Sequence, residues 1–358
     1  MHVLAHSTTA LLYCRPGMEG DCAAEIVERA GEHGVHGWCR TRSASVEFTV
    51  PTADELARVA AGIRFTSLVF PRQWCTLLGP PLALPTTDRA APLAREIAAH
   101  VAVCSEVRIE HADSPDGRPL ARLARALHYP VQRALADAGV ATGAPAGPTL
   151  HVFLLSGSEA MVGLSTAGNA SPWVNGIPRL KMPRAAPSRS VLKLEEALGL
   201  FLDAAERAAW LRPGRRAVDL GAAPGGWSWL LLERGLTVEA VDNAGLADVV
   251  TVHPRLRHWR ADGFGFRPSR AVDWLVCDMV ERPQRVAALT RDWLVHGHCR
   301  HAIVNLKLPM KRRWQSVQEH LATIRSSLPR QGRLSARQLY HDREEITVFA
   351  SREPLAGR

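Results

Sequence analysis

Three aspartates that end successive expected strands, set beside a glycine-rich turn, are the residues of this chain best placed to hold a ligand. The turn is Gly221-Ala222-Ala223-Pro224-Gly225-Gly226. Ahead of it, Ala217 to Leu220 is a short apolar run with one acid, the pattern of a buried parallel strand. After it, Trp227, Trp229 and Leu230 to Leu232 supply the apolar face of a helix. Strand, glycine turn and helix in that order let backbone approach a ligand closely and present the N–H groups of a helix start. Asp242 closes the strand that begins at Thr237 and lies 21 positions beyond Gly221. In an open α/β sheet a carboxylate there accepts hydrogen bonds from ribose hydroxyls. Asp262 follows the next strand, placed to meet the exocyclic amine of an adenine, with Phe264 beside the ring. Asp278 ends a third strand, Trp274 to Cys277. One such acid is more often a loop cap than a ligand contact; three at successive strand ends point to a site. A dinucleotide fingerprint would read G-x-G-x-x-G. Here a proline stands inside the turn and the spacing differs, which argues against a nicotinamide or flavin.

The string from Asp219 to Trp227, Asp-Leu-Gly-x-x-Pro-Gly-Gly-Trp, resembles the cofactor loop of S-adenosylmethionine-dependent methyltransferases of class I. It is most similar to the ribose 2′-O-methyltransferase branch, the FtsJ-like type. The resemblance implies S-adenosylmethionine as cofactor, held by Ser190, Gly221, Ala223, Pro224, Gly225, Gly226, Asp242, Asp262 and Asp278. It also implies a catalytic tetrad. Lys193, Asp278, Lys307 and Glu345 match the Lys-Asp-Lys-Glu set of these enzymes residue by residue. Lys307 ends the apolar strand from Ile303, and Glu345 opens the last strand. Strand alternation puts Glu345, Thr347 and Phe349 on one face, which favours Glu345 over Glu344. Enzymes that methylate amino groups of adenine or cytosine carry an Asn/Asp-Pro-Pro-Tyr/Phe motif where this chain has Asp278-Met279-Val280-Glu281. Cys277 lacks the proline of a cytosine C5 nucleophile and reads as a small buried hydrophobe.

A ribose hydroxyl is a poor nucleophile until its proton leaves. The donor of the methyl group is a sulfonium, already activated, so no metal is expected. A lysine accepts a proton at neutral pH only if its pKa falls from about 10.4. Burial and a second nearby lysine lower it, whereas flanking carboxylates raise it, so geometry and desolvation must dominate. Lys307 is the expected proton acceptor, with Lys193, Asp278 and Glu345 orienting hydroxyl and base.

These residues need a doubly wound sheet to bring them together, and the chain from 215 onward alternates strand and helix accordingly. Expected strands are 216–220, 237–242, 256–259, 272–278, 301–307 and 345–350, with one more near 333–339; the fold family implies an antiparallel late strand. Lys193 falls on a helix before the first strand, with serine placed as its cap. The expected division is a small α/β unit at 1–80, a domain at 81–168, a basic Gly/Pro-rich connector at 169–190 and a Rossmann-like, mostly parallel methyltransferase domain at 191–358. In the first unit Val69 to Cys75 reads as an edge strand or turn because of Pro71. Arg64, Arg72 and Trp74 read as surface cations and a packed tryptophan rather than RNA contacts. The second domain runs helix, strand, helix, strand, strand, with arginines 122, 125 and 133 on its long helix. That order resembles a THUMP domain, an RNA-binding module. The connector, with Arg179, Lys181 and Arg184, is expected to pack on the catalytic domain and guide phosphates.

A net charge of +9 over 358 residues suits a polyanionic partner. No eighteen-residue apolar stretch crosses a membrane, and the N-terminus from Met1 to His6 has no leader pattern, so a cytoplasmic home is expected. Seven scattered cysteines without a C-x-x-C pair read as reduced packed thiols. Tyr13 to Gly17, Gly176 to Lys181, Ala186 to Ser190, Leu192 to Ala197, Cys277 to Val280, Asn305 to Lys311 and Gln338 to Glu345 together resemble the ribosomal RNA large subunit methyltransferase M family along nearly the whole chain. Ala223 stands where that family has cysteine. This resemblance implies 2′-O-methylation of one cytidine in the peptidyl-transferase region of 23S rRNA, by a monomer or weak dimer acting on the rRNA or its precursor particle. Another structured RNA as substrate, or a catalytically silent module that binds RNA or S-adenosylmethionine, are the alternatives.

Overall fold

The computed structural model describes residues 6–353. Met1 to Ala5, part of the segment read for targeting, lie outside the described residues. The chain forms two compact units that divide after Pro178.

The first unit is built on β1 (Thr9–Tyr13), α1 (Glu19–Gly31), β2 (Trp38–Arg42), β3 (Ser45–Thr49), α2 (Ala53–Gly62), β4 (Gln73–Leu77), β5 (Leu82–Ala83), α3 (Ala90–Ala98), β6 (Glu106–His111), α4 (Leu120–Asp137), β7 (Thr149–Ser156) and β8 (Glu159–Ser165). Its strands make one sheet in the order β2-β3-β1-β4-β8-β7-β6, with β5 added on β8. The sheet therefore runs straight through the boundary expected at residue 80, because β4 pairs with both β1 and β8. The edge reading of the segment around Pro71 is thus corrected: β4 is central and all five of its residues are buried. Pro71 precedes the strand by two positions, so its missing N–H costs no ladder bond. β2 was not expected. Its residues, Trp38 to Arg42, are exposed or half-buried and carry no apolar alternation, and pairing with β3 defines it. The Trp74 indole donates to the Asn169 carbonyl at 2.6 Å and is packed, as read above, whereas Arg72 is not the surface cation expected: it is buried against Asp113.

Leu93, Ile97, Leu127, Val131 and Leu135 of α3 and α4 close a core over Val107, Leu150, Val152 and Val162. The opposite face carries Leu11, Tyr13, Phe153 and Met161. Residues 166–178 belong to this unit rather than to the catalytic one. Arg108 donates to the carbonyls of Ser171, Pro172 and Trp173, and Asn175 N–H donates to Glu110 at 2.6 Å.

The second unit contains α5 (Val191–Phe201), α6 (Ala204–Trp210), β9 (Arg216–Leu220), α7 (Gly226–Glu233), β10 (Thr237–Val241), α8 (Asp248–Thr251), β11 (Leu256–Trp259), β12 (Val272–Cys277), α9 (Pro283–Val295), β13 (Cys299–Lys307), α10 (Arg313–Arg325), β14 (Arg333–Arg337) and β15 (Glu345–Ser351). The sheet order is β11-β10-β9-β12-β13-β15-β14. β9 to β13 are parallel, whereas β15 runs antiparallel between β13 and β14. The order reverses at β9, whose neighbours β10 and β12 lie on opposite sides; a crevice opens outside the strand ends at such a point. One face of this sheet buries Ala217, Trp274, Val276, Ile303 and Phe349 under α5 and α7. Among the described residues no helix is long and apolar enough to cross a membrane.

Glu25 tests how the first unit holds its loops. It is wholly buried in α1, and its two oxygens accept Val69 N–H at 2.6 Å and Phe70 N–H at 2.9 Å. Glu25→Ala leaves two buried donors without that acceptor, so denaturant unfolding should show a loss of about 2–4 kcal/mol, with Glu25→Gln retaining part of it.

Candidate active site

The glycine turn follows β9 and opens α7. Gly221 has φ 74°, and a Cβ there would lie 2.5 Å from Met279 Cγ, so the loop after β9 and the loop after β12 touch only because the residue is glycine. Gly225 stands at the N-cap of α7 in the left-handed region, and no side chain caps that helix. Gly226 is pressed against two hydroxyls; a Cβ would come within 2.3 Å of Ser190 Oγ and 2.4 Å of Ser188 Oγ. Ser190 is held there by its carbonyl, which accepts the Trp227 indole N–H at 2.9 Å. The expected serine cap on α5 is not made. Ser190 has helical backbone angles, and its hydroxyl pairs with Ser188 Oγ at 2.7 Å instead.

Asp242 sits at the end of β10, as expected, with both oxygens engaged. Oδ2 accepts Ala223 N–H at 3.0 Å and Oδ1 accepts Ala244 N–H at 2.8 Å. The carboxylate thus fixes the glycine turn against the next strand. Pro224 lends its carbonyl to Ala247 N–H at 3.0 Å. Asp262 is exposed beyond β11 and accepts Phe264 N–H at 3.1 Å. The Phe264 ring carries the Arg285 guanidinium 4.0 Å from its centroid.

The four tetrad residues come from α5, β12, β13 and β15 and meet in a closed ring. Lys193 Nζ lies 3.2 Å from Asp278 and 2.5 Å from Glu345; Lys307 Nζ lies 3.4 Å from Asp278 and 2.9 Å from Glu345. Each carboxylate bridges both ammonium groups. Lys307 and Glu345 are direct cross-strand partners, which makes this contact a property of the β13–β15 register. Side-chain exposure is 6% for Glu345, 15% for Lys193, 17% for Asp278 and 23% for Lys307, so Lys307 is the most open member. Burial works against the charge on Lys193, but Asp278 and Glu345 outweigh it and hold its pKa above the ordinary lysine value. Burial likewise opposes the charge on Glu345, yet hydrogen bonds from the two lysines keep its pKa below the usual range. Cys277 is buried and its thiol is pushed up to about 12 by burial.

The sequence reading did not assign three polar residues to this site, although it placed Thr347 on the face of Glu345. Asn305 donates to Asp278 Oδ1 at 2.7 Å, Thr347 lies 2.7 Å from Asn305 Oδ1, and Asp342 faces Thr347. Asn305 and Thr347 follow strand alternation from Lys307 and Glu345, which is the signal that points to them. Asp219, two positions before the turn, is buried and accepts the Ser228 hydroxyl at 2.7 Å. Burial pushes its carboxyl up to about 7.

That shift has a sign. Between about pH 4, where an unfolded aspartate titrates, and pH 7 the folded chain binds the extra proton. Stability is therefore greatest at the acid side of this window and falls as pH rises through it. Asp219→Asn should flatten the curve. Between pH 5 and 8 the wild type should lose on the order of a few kcal/mol more than the variant, read from denaturant midpoints.

The turn with its uncapped helix start, and carboxylates at neighbouring strand ends beside the switch point, fit an adenosyl sulfonium ligand. Comparison with known proteins agrees. The FtsJ-like methyltransferase family model matches residues 186–290, the RlmM ferredoxin-like domain model matches 8–75, and the model for the N-terminal part of ribosomal RNA large subunit methyltransferase M matches 88–166. The ribosomal RNA large subunit methyltransferase M of Alkalilimnicola ehrlichii is 47% identical over 98% of this chain and 96% of its own length. That of Methylococcus capsulatus is 47% identical over 96% of this chain and 97% of its own. That of Azotobacter vinelandii is 46% identical over 96% and 98%. S-adenosylmethionine is accordingly the methyl donor. With its tetrad closed at the crevice and relatives matching along almost its full length, the chain belongs to the ribosomal RNA large subunit methyltransferase M family.

Proposed function

We propose that this protein methylates the 2′-hydroxyl of a single cytidine in the peptidyl-transferase region of 23S rRNA, with Lys307 as proton acceptor. The closed ring of two lysines and two carboxylates beside the cofactor turn carries this reading. S-adenosylmethionine, when bound by Ser190, the 221–226 turn, Asp242, Asp262 and Asp278, supplies an electrophilic methyl group. The chain's own residues have to orient the ribose and take its proton. Lys193 is held as a cation by Asp278 and Glu345, which makes it a fixed charge rather than a base. When Lys307 is neutral, the Lys193 ammonium is the cation left beside the two carboxylates, and it can steady an oxygen losing its proton. Lys307 is also the member that opens most to solvent, where a hydroxyl can reach it. Alignment of the reacting atoms contributes the larger part of the acceleration.

The first unit supplies the RNA contact in this reading, as a THUMP-like module. Arg122, Arg125, Tyr129 and Arg133 of α4 follow one helical stripe, all exposed, with Tyr129 at 72%. The stripe spans about 16 Å at 1.5 Å per residue, and no acid lies on α4 before Asp137. Spaced guanidiniums with an exposed ring suit phosphates and an unstacked base. Replacing the three arginines by alanine should weaken rRNA binding and lower the slope of log affinity against log salt by about 2–3, while S-adenosylmethionine binding stays unchanged.

The decisive assay transfers labelled methyl groups to large-subunit rRNA that lacks the mark. Wild type should render one linkage resistant to alkaline cleavage. Lys307→Ala should bind the cofactor and transfer at least about a hundred-fold more slowly. Label on a base, or near-full activity in the variant, would overturn the reading.

A further inference from the structure

Behind the ring the polar chain continues into the protein. Asn305 and Thr347 are wholly buried and Asp342 is 1% exposed. Asp278 is acceptor-only when ionised, so the Asn305 amide must turn its nitrogen toward it, at 2.7 Å. That leaves Asn305 Oδ1, which only accepts, facing Thr347 Oγ1 at 2.7 Å. A hydroxyl has one proton, and the shortest contact takes it. Thr347 Oγ1 also lies 3.2 and 3.1 Å from the two oxygens of Asp342. It has no proton left for them, so it must accept, and Asp342 must carry the hydrogen. Oδ2 of Asp342 also accepts the Leu339 N–H at 2.9 Å.

We infer that Asp342, Thr347 and Asn305 form a one-way hydrogen-bond chain that fixes Asp278 for catalysis: Asp342 donates to Thr347, Thr347 to Asn305, and Asn305 to Asp278. These are positioning residues; none belongs to the charged ring. The charge environment agrees with a protonated Asp342. Burial, Glu345 on β15 and Glu196 on α5 push its carboxyl well up, against the pull of the Leu339 N–H and Lys193 on α5. A chain polarised in one direction strengthens its last bond, here a bond to a carboxylate. That bond sets the orientation of the oxygens on which both lysines rest. The inference deepens the tetrad reading and rests on it.

Thr347→Val removes the hydroxyl with little change in volume. Methyl transfer to rRNA should fall about ten- to a hundred-fold in kcat, with the KM for RNA and the affinity for S-adenosylmethionine held within about twofold. Thr347→Ser should recover most of the lost rate. Asp342→Asn still offers a donor to Thr347 and should retain more activity than Asp342→Ala. In an Asp219→Asn background, infrared spectra with carbon-labelled aspartate should show a protonated carboxyl band at neutral pH that Asp342→Asn removes; this holds even if Thr347→Val folds poorly. Wild-type kcat in Thr347→Val, a serine variant no better than valine, or a carboxyl band unaffected by Asp342→Asn would overturn the chain. Lys307→Ala in the same assay separates the two readings. Activity there sinks the base, whereas an inactive Lys307→Ala beside a fully active Thr347→Val sinks only the chain behind Asp278.

Discussion

Two positive and two negative side chains share one partly buried ring, and the rest of the second unit is arranged so that they can. Removing any one leaves an uncompensated charge among groups between 6% and 23% exposed, which a marginally stable domain tolerates poorly. The geometry is supplied by strand register. β13 ends on Lys307 exactly opposite the first residue of β15, Glu345, and this pairing requires β15 to run antiparallel. A parallel strand would bring its last residue to that edge. The reversed strand is therefore the device that delivers a second carboxylate to the side where Asp278 already ends β12. Lys193 arrives from outside the sheet. Its helix is tied down three residues later, where Glu196 accepts Tyr340 N–H at 2.8 Å and His341 Nδ1 lies 2.7 Å from the same carboxyl group.

Along β13 and β15 the polarity rises in steps toward that edge. The Ile303–Phe349 pair is apolar, the Asn305–Thr347 pair is neutral and polar, and the Lys307–Glu345 pair is charged. Direct contact of an ion pair with the apolar core would leave lone pairs and ammonium hydrogens unmatched. The neutral rung accepts and donates in their place and passes the demand inward to Asp342. Asp342 satisfies it at the cost of its charge.

Strand ends were the legible part of this chain. Glycines, acids and lysines at the carboxyl edge stand out because an apolar strand precedes each, and the seven strands of the second sheet fall where the hydrophobic runs place them. The interior polar residues were hidden by the same rule. Asn305 and Thr347 interrupt runs that are otherwise apolar, and a single polar residue in a buried strand has no local partner to announce its role. Long-range pairing also overrode local cues in the first unit. Pro71 marked an edge by propensity, yet β4 starts past it and is covered on both sides. β2 offered no alternation and exists because β3 pairs with it. The serine before α5 had the right position for a cap, but its hydroxyl pairs with Ser188 Oγ, and Gly226 leaves room for the two hydroxyls beside the cofactor turn.

Several acidic side chains of this protein accept backbone N–H groups. Glu25 accepts from Val69 and Phe70, Glu110 from Asn175, Glu196 from Tyr340 and His341, Asp242 from Ala223 and Ala244, Asp262 from Phe264, and Asp342 from Leu339, in each case a backbone N–H. These carboxyl groups clamp connecting segments, and sequence position alone does not separate such a clamp from a ligand contact. Among the described residues, the hydrogen bonds of Asp278 and Glu345 come from side chains only: Lys193, Lys307 and, for Asp278, Asn305. A carboxylate bound to backbone can hold a loop but cannot exchange its donors without disturbing the fold. One bound only to side chains can let an ammonium group turn toward a substrate and take it back. That freedom is what a proton-accepting lysine needs from its neighbours.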